Sequence, residues 1–547
     1  MTKNRFAKKA LSIMLSLVFL FSVFAVAEVL PVGYAEQGNG EGYDTINWDK
    51  VNAAIEAIHD ICAVEFTAEC MARINAARAA YDALNGREKR EVSNLGDLTD
   101  AEAAFHHLSQ GHNTAVRFIA DGAVDGILDT HENRVYFGSY DPAGDSSAEP
   151  ILWRMLDHSG GKMLLLSDKI LDARSYHISD AVHVSWSTCS LRTWLNGSDE
   201  GIAGETDNSF FNNAFSGVEQ AAVRDTDVNE IIPSGSTGQT GTGYENIDKV
   251  FILSSAEVMN PAFGFPDSTA ATDTRAAELT EAVQLYASSG WTTAKTWWLR
   301  DTDVDTSRWV HDAGQVIASS DTGSYRQNDP RGVRPALYTD LSRVLFASPA
   351  SGGKNANGAL AEIPEYTGKE WKLTARNNNY RFKVDETAAT AVRGGTVTLH
   401  YTKAKYGTKD RISAMLVNAD GHPLYYGQIA QATSAAGSVD ITIPQGVVPG
   451  AYTLRVFNEQ LNGDCATDVS SAFSDIALTV AAVPGDVDRD GEVDLGDVVL
   501  ITRWLAGGWN VTLNRAVADV NDDGIVDLKD VVLIRRYLAG GWGVTLV

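Results

Sequence analysis

Two stretches near the C-terminus constrain the chain most. DVDRDGEVDLGD runs from Asp486 to Asp497 and DVNDDGIVDLKD from Asp519 to Asp530, the same pattern at an offset of 33 residues. Each places side-chain oxygens at places one, three, five, nine and twelve, with a glycine at place six. So many carboxylates in one short loop repel one another unless a cation sits among them, and calcium takes about six to eight hard oxygens. In the first stretch the candidate ligands are Asp486, Asp488 and Asp490, the backbone carbonyl of Glu492, Asp494 acting through water, and Asp497. Gly491 permits the sharp bend between them. In the second they are Asp519, Asn521, Asp523, the carbonyl of Ile525, Asp527 and Asp530, with Gly524 at the bend. A solvated acidic loop is the plain alternative. Duplication, the placed glycine and the acid at place twelve argue against it, so two Ca2+ ions are expected.

The spacing is similar to the twelve-residue loop of EF-hands, with two departures. Place twelve holds Asp, not Glu, and Pro484 and Gly485 stand before the first loop where an EF-hand has a helix. Helical patterns follow the loops instead. Val498, Ile501 and Leu505 fall on one face, as do Val531, Ile534 and Leu538, and Gly507 and Gly540 end the two helices. In these features Gly485 to Val547 resembles a type I dockerin. The resemblance implies an all-α module of two calcium loop–helix repeats that binds a cohesin module of a scaffoldin or a cell-surface protein. It also implies partner contacts at loop places ten and eleven and on the following helix. These are Leu495, Gly496, Thr502 and Arg503 in the first repeat and Leu528, Lys529, Arg535 and Arg536 in the second. Leu-Gly and Leu-Lys replace the family's usual Ser-Thr pair, which leaves partner specificity open.

At the other end, Lys3, Arg5, Lys8 and Lys9 precede the uncharged run ALSIMLSLVFLFSVFAVA. Small residues at Ala25-Val26-Ala27 and Gly33-Tyr34-Ala35 suit a signal peptidase. Residues 1–35 are expected to be a signal peptide and the mature protein extracellular; an uncleaved membrane anchor is the rival reading. The formal net charge of −26 disfavours nucleic acid and anionic membrane surfaces as partners. Only 4 cysteines in 547 residues exclude a disulfide scaffold.

Between these ends the patterning changes three times. Residues 43–112 read as helices: Trp48, Val51, Ile55, Ile58 and Ile61 form one face, and Ile74, Ala77, Tyr81 and Leu84 another. Gly86 is expected to close the second helix and Thr99 to cap a third. The string INAARAAYDALNGREKREVSNLGDL resembles the FIVAR-type three-helix repeats of Gram-positive surface proteins, which implies a spacer. In an oxidising compartment Cys62 and Cys70 are placed to bridge, with two buried thiols as the alternative.

Residues 115–347 mix strands with short helices and hold 7 of the 12 tryptophans. The order of ENRVYFGSYD, WSTCSLRTWLN, KVFILSSAEV, WWLRD and GVRPAL resembles the DUF6273 type of extracellular domain. The ending resembles formylglycine-generating-enzyme-like domains, which implies an α+β C-type-lectin-like fold. That enzyme chemistry uses a cysteine pair, and this segment has Cys189 alone. A glycosidase needs two facing carboxylates, and nothing selects a pair among acids such as Glu219, Asp301 and Asp303. His177, His183 and His311 show no metal-ligand spacing. The tryptophans suit stacking on sugar rings, hence a possible glycan ligand, but core packing is the plainer reading. Arg300 and Arg334 are expected to tie down loops.

Residues 348–362 read as a flexible linker, and 363–481 as an all-β, immunoglobulin-like sandwich in which Cys465 stands alone. The expected protein is therefore multidomain. The dockerin resemblance implies that it docks onto a cohesin of a cellulosome-like or cell-surface polysaccharide-degrading complex and displays non-catalytic binding modules outward, with no membrane contact after signal cleavage. The alternative is a glycoside hydrolase whose catalytic domain lies at 115–347.

Overall fold

The computed structural model describes residues 46–61, 68–110, 115–119, 132–142, 148–179, 184–197, 208–228, 247–287, 295–303, 306–317, 328–354, 358–488, 492–507, 513, 515–540 and 543–547. The expected signal peptide, Cys62, His183, Trp291, Asp490 and Gly491 lie outside these residues. The described residues up to Ser109 and those from Ala482 onward form one compact unit, and Gln110–Ala481 form a second.

The N-terminal part of the first unit holds three long helices and a short one among the described residues. Helix α1 (Trp48–His59) is capped by Asn47 and buries Val51, Ala54, Ile55 and Ile58. Trp48, expected on that buried face, is instead 38% exposed. Helix α2 (Ala68–Asp82) follows, and Ile74, Ala77 and Leu84 join the core with Leu98 and Phe105. Two expected boundaries are corrected. Gly86 opens a short helix, α3 (Gly86–Lys89), whose cap is Asn85. Thr99 caps nothing: α4 (Leu95–Gln110) begins a turn earlier, and the Thr99 hydroxyl donates back to the carbonyls of Leu95 and Gly96.

The second unit is β-rich. Strands β1 (Arg134–Tyr140), β2 (Glu149–Ser159) and β3 (Lys162–Ser167) form a meander. The β2–β3 turn is Gly160-Gly161, both with positive φ (59° and 70°), the backbone a two-residue hairpin turn requires. Strand β4 (Asp172–Ser175) lies in a separate five-stranded sheet with β5 (Trp297–Asp303), β6 (Thr306–Val310), β7 (Val316–Ile317) and β8 (Pro330–Val333). Helices α5 (Ser190–Asn196) and α6 (Gly217–Ala222) belong to the same region. Strand β9 (Ala336–Asp340) pairs with β3, and β10 (Val344–Pro349) leads onward.

Within the stretch expected as a linker, 348–362, Ser348 and Pro349 end β10. Strand β11 (Ala361–Glu362) is followed by β12 (Glu370–Arg376), which pairs in parallel with β1 and antiparallel with β10. Farther along, at Thr374–Arg376, β12 also pairs in parallel with β20 (Asp468–Ser470). A sheet of thirteen strands among the described residues therefore runs from β9 through β12 into the C-terminal part of the unit. Trp371 of β12 is fully buried in the same core as Trp153. Lys354, inside the expected linker, is also buried, and its ammonium donates to Thr374 Oγ1 (2.9 Å), Glu459 (2.8 Å) and Asp468 (2.8 Å). Lys372 pairs with Asp468 as well, at 2.9 Å.

The remaining strands face one another across a second apolar core. Strands β13 (Lys383–Val384), β15 (Thr396–Thr402) and β18 (Gly437–Thr442) form one sheet. Strands β14 (Ala388–Val392), β16 (Asp410–Val417), β17 (Pro423–Ala430), β19 (Gly450–Gln460) and β21 (Ser474–Ala481) belong to the larger one. Leu399 and Ile441 from the first meet Leu416, Leu454 and Ile476 from the second. The alternating burial along β15 shows why: every second side chain points inward.

In the C-terminal part of the first unit, α7 (Leu495–Leu505) and α8 (Leu528–Leu538) pack through Val498, Ile501, Val531 and Ile534. Among the described residues no helix is long and apolar enough to cross a membrane.

Candidate calcium and docking site

Each acidic loop runs directly into its helix, and the loop acids start that helix. Asp494, place nine, is the N-cap of α7, and Asp497, place twelve, accepts in return from the Asp494 N–H at 2.7 Å. Asp527 and Asp530 repeat this on α8, with the return bond at 2.8 Å. The arrangement is a capping box. It gives Asp497 and Asp530 a second role beside the candidate metal site, because each holds the end of its loop to the first turn of the helix.

The twelfth acid also organises the start of its loop. Asp497 Oδ1 accepts from the backbone N–H groups of Val487 (2.6 Å) and Asp488 (3.2 Å). Asp530 Oδ1 accepts from the Val520 N–H and from Asn521 Nδ2, both at 3.0 Å. In the first loop this gathers Asp486, Asp488 and Asp497 so that one carboxylate oxygen from each lies within 4.8 Å of the others. Asp486 and Asp497 are buried. Burial, with the nearby Asp488 charge adding to it, pushes the Asp497 carboxyl up to about 7. Converging buried carboxylates of this kind fit a hard divalent cation.

The second loop wraps its own acceptors. Asp519 accepts from the N–H groups of Asp523 (3.2 Å) and Gly524 (2.7 Å), and Asn521 Oδ1 accepts from Asp523 N–H at 2.9 Å. Gly524 has φ +82°, so place six needs the left-handed backbone that glycine adopts without strain. Lys529, expected as a partner contact, lies over its own loop with its ammonium 3.1 Å from Asp523 and 3.2 Å from Asp527.

The expected docking residues divide by repeat. Leu495 and Leu528 are 62% and 64% exposed, and each has a second exposed apolar side chain one turn on, Val499 and Val532. The sequence reading missed these valines, although their i+4 spacing from the leucines is visible in it. Gly496 lies close against the Asp494 and Asp488 carboxylates. Thr502 bonds back to the Val498 carbonyl (2.6 Å). Arg535 and Arg536 are exposed, whereas Arg503, the counterpart of Arg536, is largely covered, its guanidinium 2.7 Å from Glu91.

A family model described as the dockerin type I domain matches residues 484–539. The C-terminal module is a type I dockerin domain. Type I dockerin domains bind calcium and have cohesins as partners, and they occur in extracellular cellulosome components. A second model, a domain of unknown function (DUF6273), matches residues 160–341. No curated protein matches the chain.

Most of the described tryptophans of 115–347 lie inside the second unit. Trp153, Trp186, Trp297, Trp298 and Trp309 are buried, so their faces are unavailable to a sugar; Trp194 is half-buried and carries Arg174 at 4.0 Å. Arg300 and Arg334 donate to the carbonyls of Ile252 (2.7 Å) and Ser167 (2.7 Å), which fixes loops as expected. Glu219 closes the capping box of α6 and accepts from the Gly138 N–H. Asp301 is buried against Ser255. Burial pushes the Cys189 thiol up to about 12, which disfavours the thiolate a metal would need.

Proposed function

We propose that the protein is a secreted, modular component of a cellulosome-like or cell-surface polysaccharide-degrading complex, attached through its dockerin with two bound Ca2+ ions. The ions would be held by Asp486, Asp488, Asp490, the Glu492 carbonyl, Asp494 and Asp497, and by the corresponding residues from Asp519 to Asp530. Calcium supplies the charge that lets these carboxylates converge, and the capping acids pass that order to α7 and α8. The observation that carries the reading is the pair of loop–helix repeats, each presenting an exposed Leu–Val stripe at its start. Docking buries one stripe against a cohesin face, with Arg535 and Arg536 beside the second.

The second unit is the displayed part. Its buried tryptophans and its acids engaged in caps and loops support a non-catalytic role. Its β-rich C-terminal part acts as a rigid support, and the C-type-lectin-like and immunoglobulin-like folds expected from the sequence accord with display. Isothermal titration of the full chain against a panel of type I cohesins tests the reading. Binding in calcium that disappears in EDTA is expected. Absence of binding across the panel in calcium refutes docking, and release of reducing sugar from a polysaccharide panel refutes the non-catalytic role.

A further inference from the structure

The N-terminal helical module holds the guanidinium of Arg503 from the dockerin. The carboxylate is that of Glu91, with Oε2 2.7 Å from Arg503 Nη1. The Glu91 backbone carbonyl accepts from the same nitrogen at 3.0 Å. The Trp48 ring lies 5.1 Å from the guanidinium carbon, within cation–π range. A third residue sets Trp48 and Glu91 side by side. Glu88, buried at 3% exposure, accepts from the Asn47 N–H (3.0 Å) through one oxygen and from the Asn85 N–H (2.9 Å) through the other. Asn47 starts α1, which begins at Trp48, and Asn85 starts α3, which leads into Glu91.

We infer that the helical module is a built-in cover for Arg503 of the first dockerin repeat: it engages that guanidinium, leaves Leu495 and Val499 exposed, and leaves the docking residues of the second repeat to the partner. The inference rests on the docking reading only for its consequence. Arg503 is a partner-contact position by family resemblance, so a cohesin that grips the first repeat must displace Glu91 and Trp48, whereas one that grips Leu528, Val532, Arg535 and Arg536 need not. The contact thus makes two similar repeats unequal and favours one docking orientation.

Hydrogen exchange of the full chain in calcium tests the contact without any cohesin. Arg503→Ala is expected to speed exchange roughly three- to tenfold in peptides spanning 46–61 and 85–95, the scale of one ion pair plus one cation–π contact. Peptides from 110–481 serve as the internal reference and stay unchanged. Glu88→Gln keeps the fold of the dockerin while loosening the contact, and gives the same signature. Unchanged exchange at 46–61 and 85–95 in Arg503→Ala overturns the inference. Adding a type I cohesin to the parent leaves 46–61 protected if the second repeat is used; deprotection there on binding overturns the orientation claim. If no cohesin binds, the docking reading fails, and the Arg503→Ala comparison still decides whether the cover exists.

Discussion

Removing the Lys354 ammonium isolates a single buried charge and gives the sharpest test of the second unit. Lys354 is hydrogen-bonded to Glu459 and Asp468, and the side chains of both acids are 0% exposed. In Lys354→Met, Asp468 keeps Lys372 at 2.9 Å, but Glu459 retains only neutral donors such as the Tyr426 hydroxyl. Breaking a buried pair by removing one partner costs about 3–5 kcal/mol, because the remaining charge stays desolvated. Removing both charges costs far less. The expected order of urea midpoints, followed by tryptophan fluorescence of the full chain in calcium, is therefore parent, then Lys354→Met with Glu459→Gln close behind, then Lys354→Met well below. The pH profile follows from the same cluster. The two carboxylates hold the Lys354 amine above its ordinary 10.5, so its contribution is complete below pH 10.5 and is lost as pH rises through the folded value. The two ammonium groups, outweighing burial, hold Asp468 below its ordinary 3.8, so its contribution is complete above pH 3.8 and is lost as pH falls through the folded value. The contribution of this cluster should be level between those limits. A cost under about 1 kcal/mol for Lys354→Met, or a double variant no better than the single one, would refute the argument.

Three further outcomes are expected. Excess EDTA should melt the α7–α8 module while leaving the second unit folded, since each calcium site filled at 100 times its Kd contributes about 2.7 kcal/mol; differential scanning calorimetry that shows no shifted transition would count against the ligand assignment. Leu528→Ala should weaken cohesin binding about five- to thirtyfold, from burial of a largely exposed leucine on docking, and Leu495→Ala should weaken it little, as calorimetry can measure; equal losses would mean two interchangeable orientations. Gly485→Ala should lower the melting temperature of the calcium-loaded dockerin, because φ is +91° there and a Cβ would lie 2.8 Å from Leu546 Cδ1; a change under about 0.5 kcal/mol would show that neither the backbone conformation nor the close approach to Leu546 constrains this position.

What was legible in the sequence was local. The calcium loops depend on spacing within twelve residues, and the two helix faces on a period of about 3.6, so Val498, Ile501, Val531 and Ile534 were found correctly in the core. The capping roles of Asp494 and Asp497 were present in the same letters but hidden behind their reading as ligands. Thr99 and Gly86 misled because cap and stop propensities of about 1 kcal/mol yield to packing. What could not be read was pairing at a distance. Nothing near Trp48 announces Arg503, and Glu91 and Arg503 are separated by 412 positions. The small, flexible residues at 348–362 gave the composition of a linker, while the parallel register of Val135 with Trp371 that spans it leaves no mark in either segment.

That register also bears on how such a chain can be reshuffled by recombination. A crossover at 348–362 would take β12 away from β1 and β10 and would part Trp371 from Asn133, to which its indole donates at 3.0 Å. Each half would be left with an apolar edge strand unpaired, a template for aggregation. The segment matched at 160–341 excludes β1 and β2, so a transfer limited to it would leave behind the strand that pairs with β3. The two halves of the second unit would therefore have to move together in any such exchange, because β12 is shared between them.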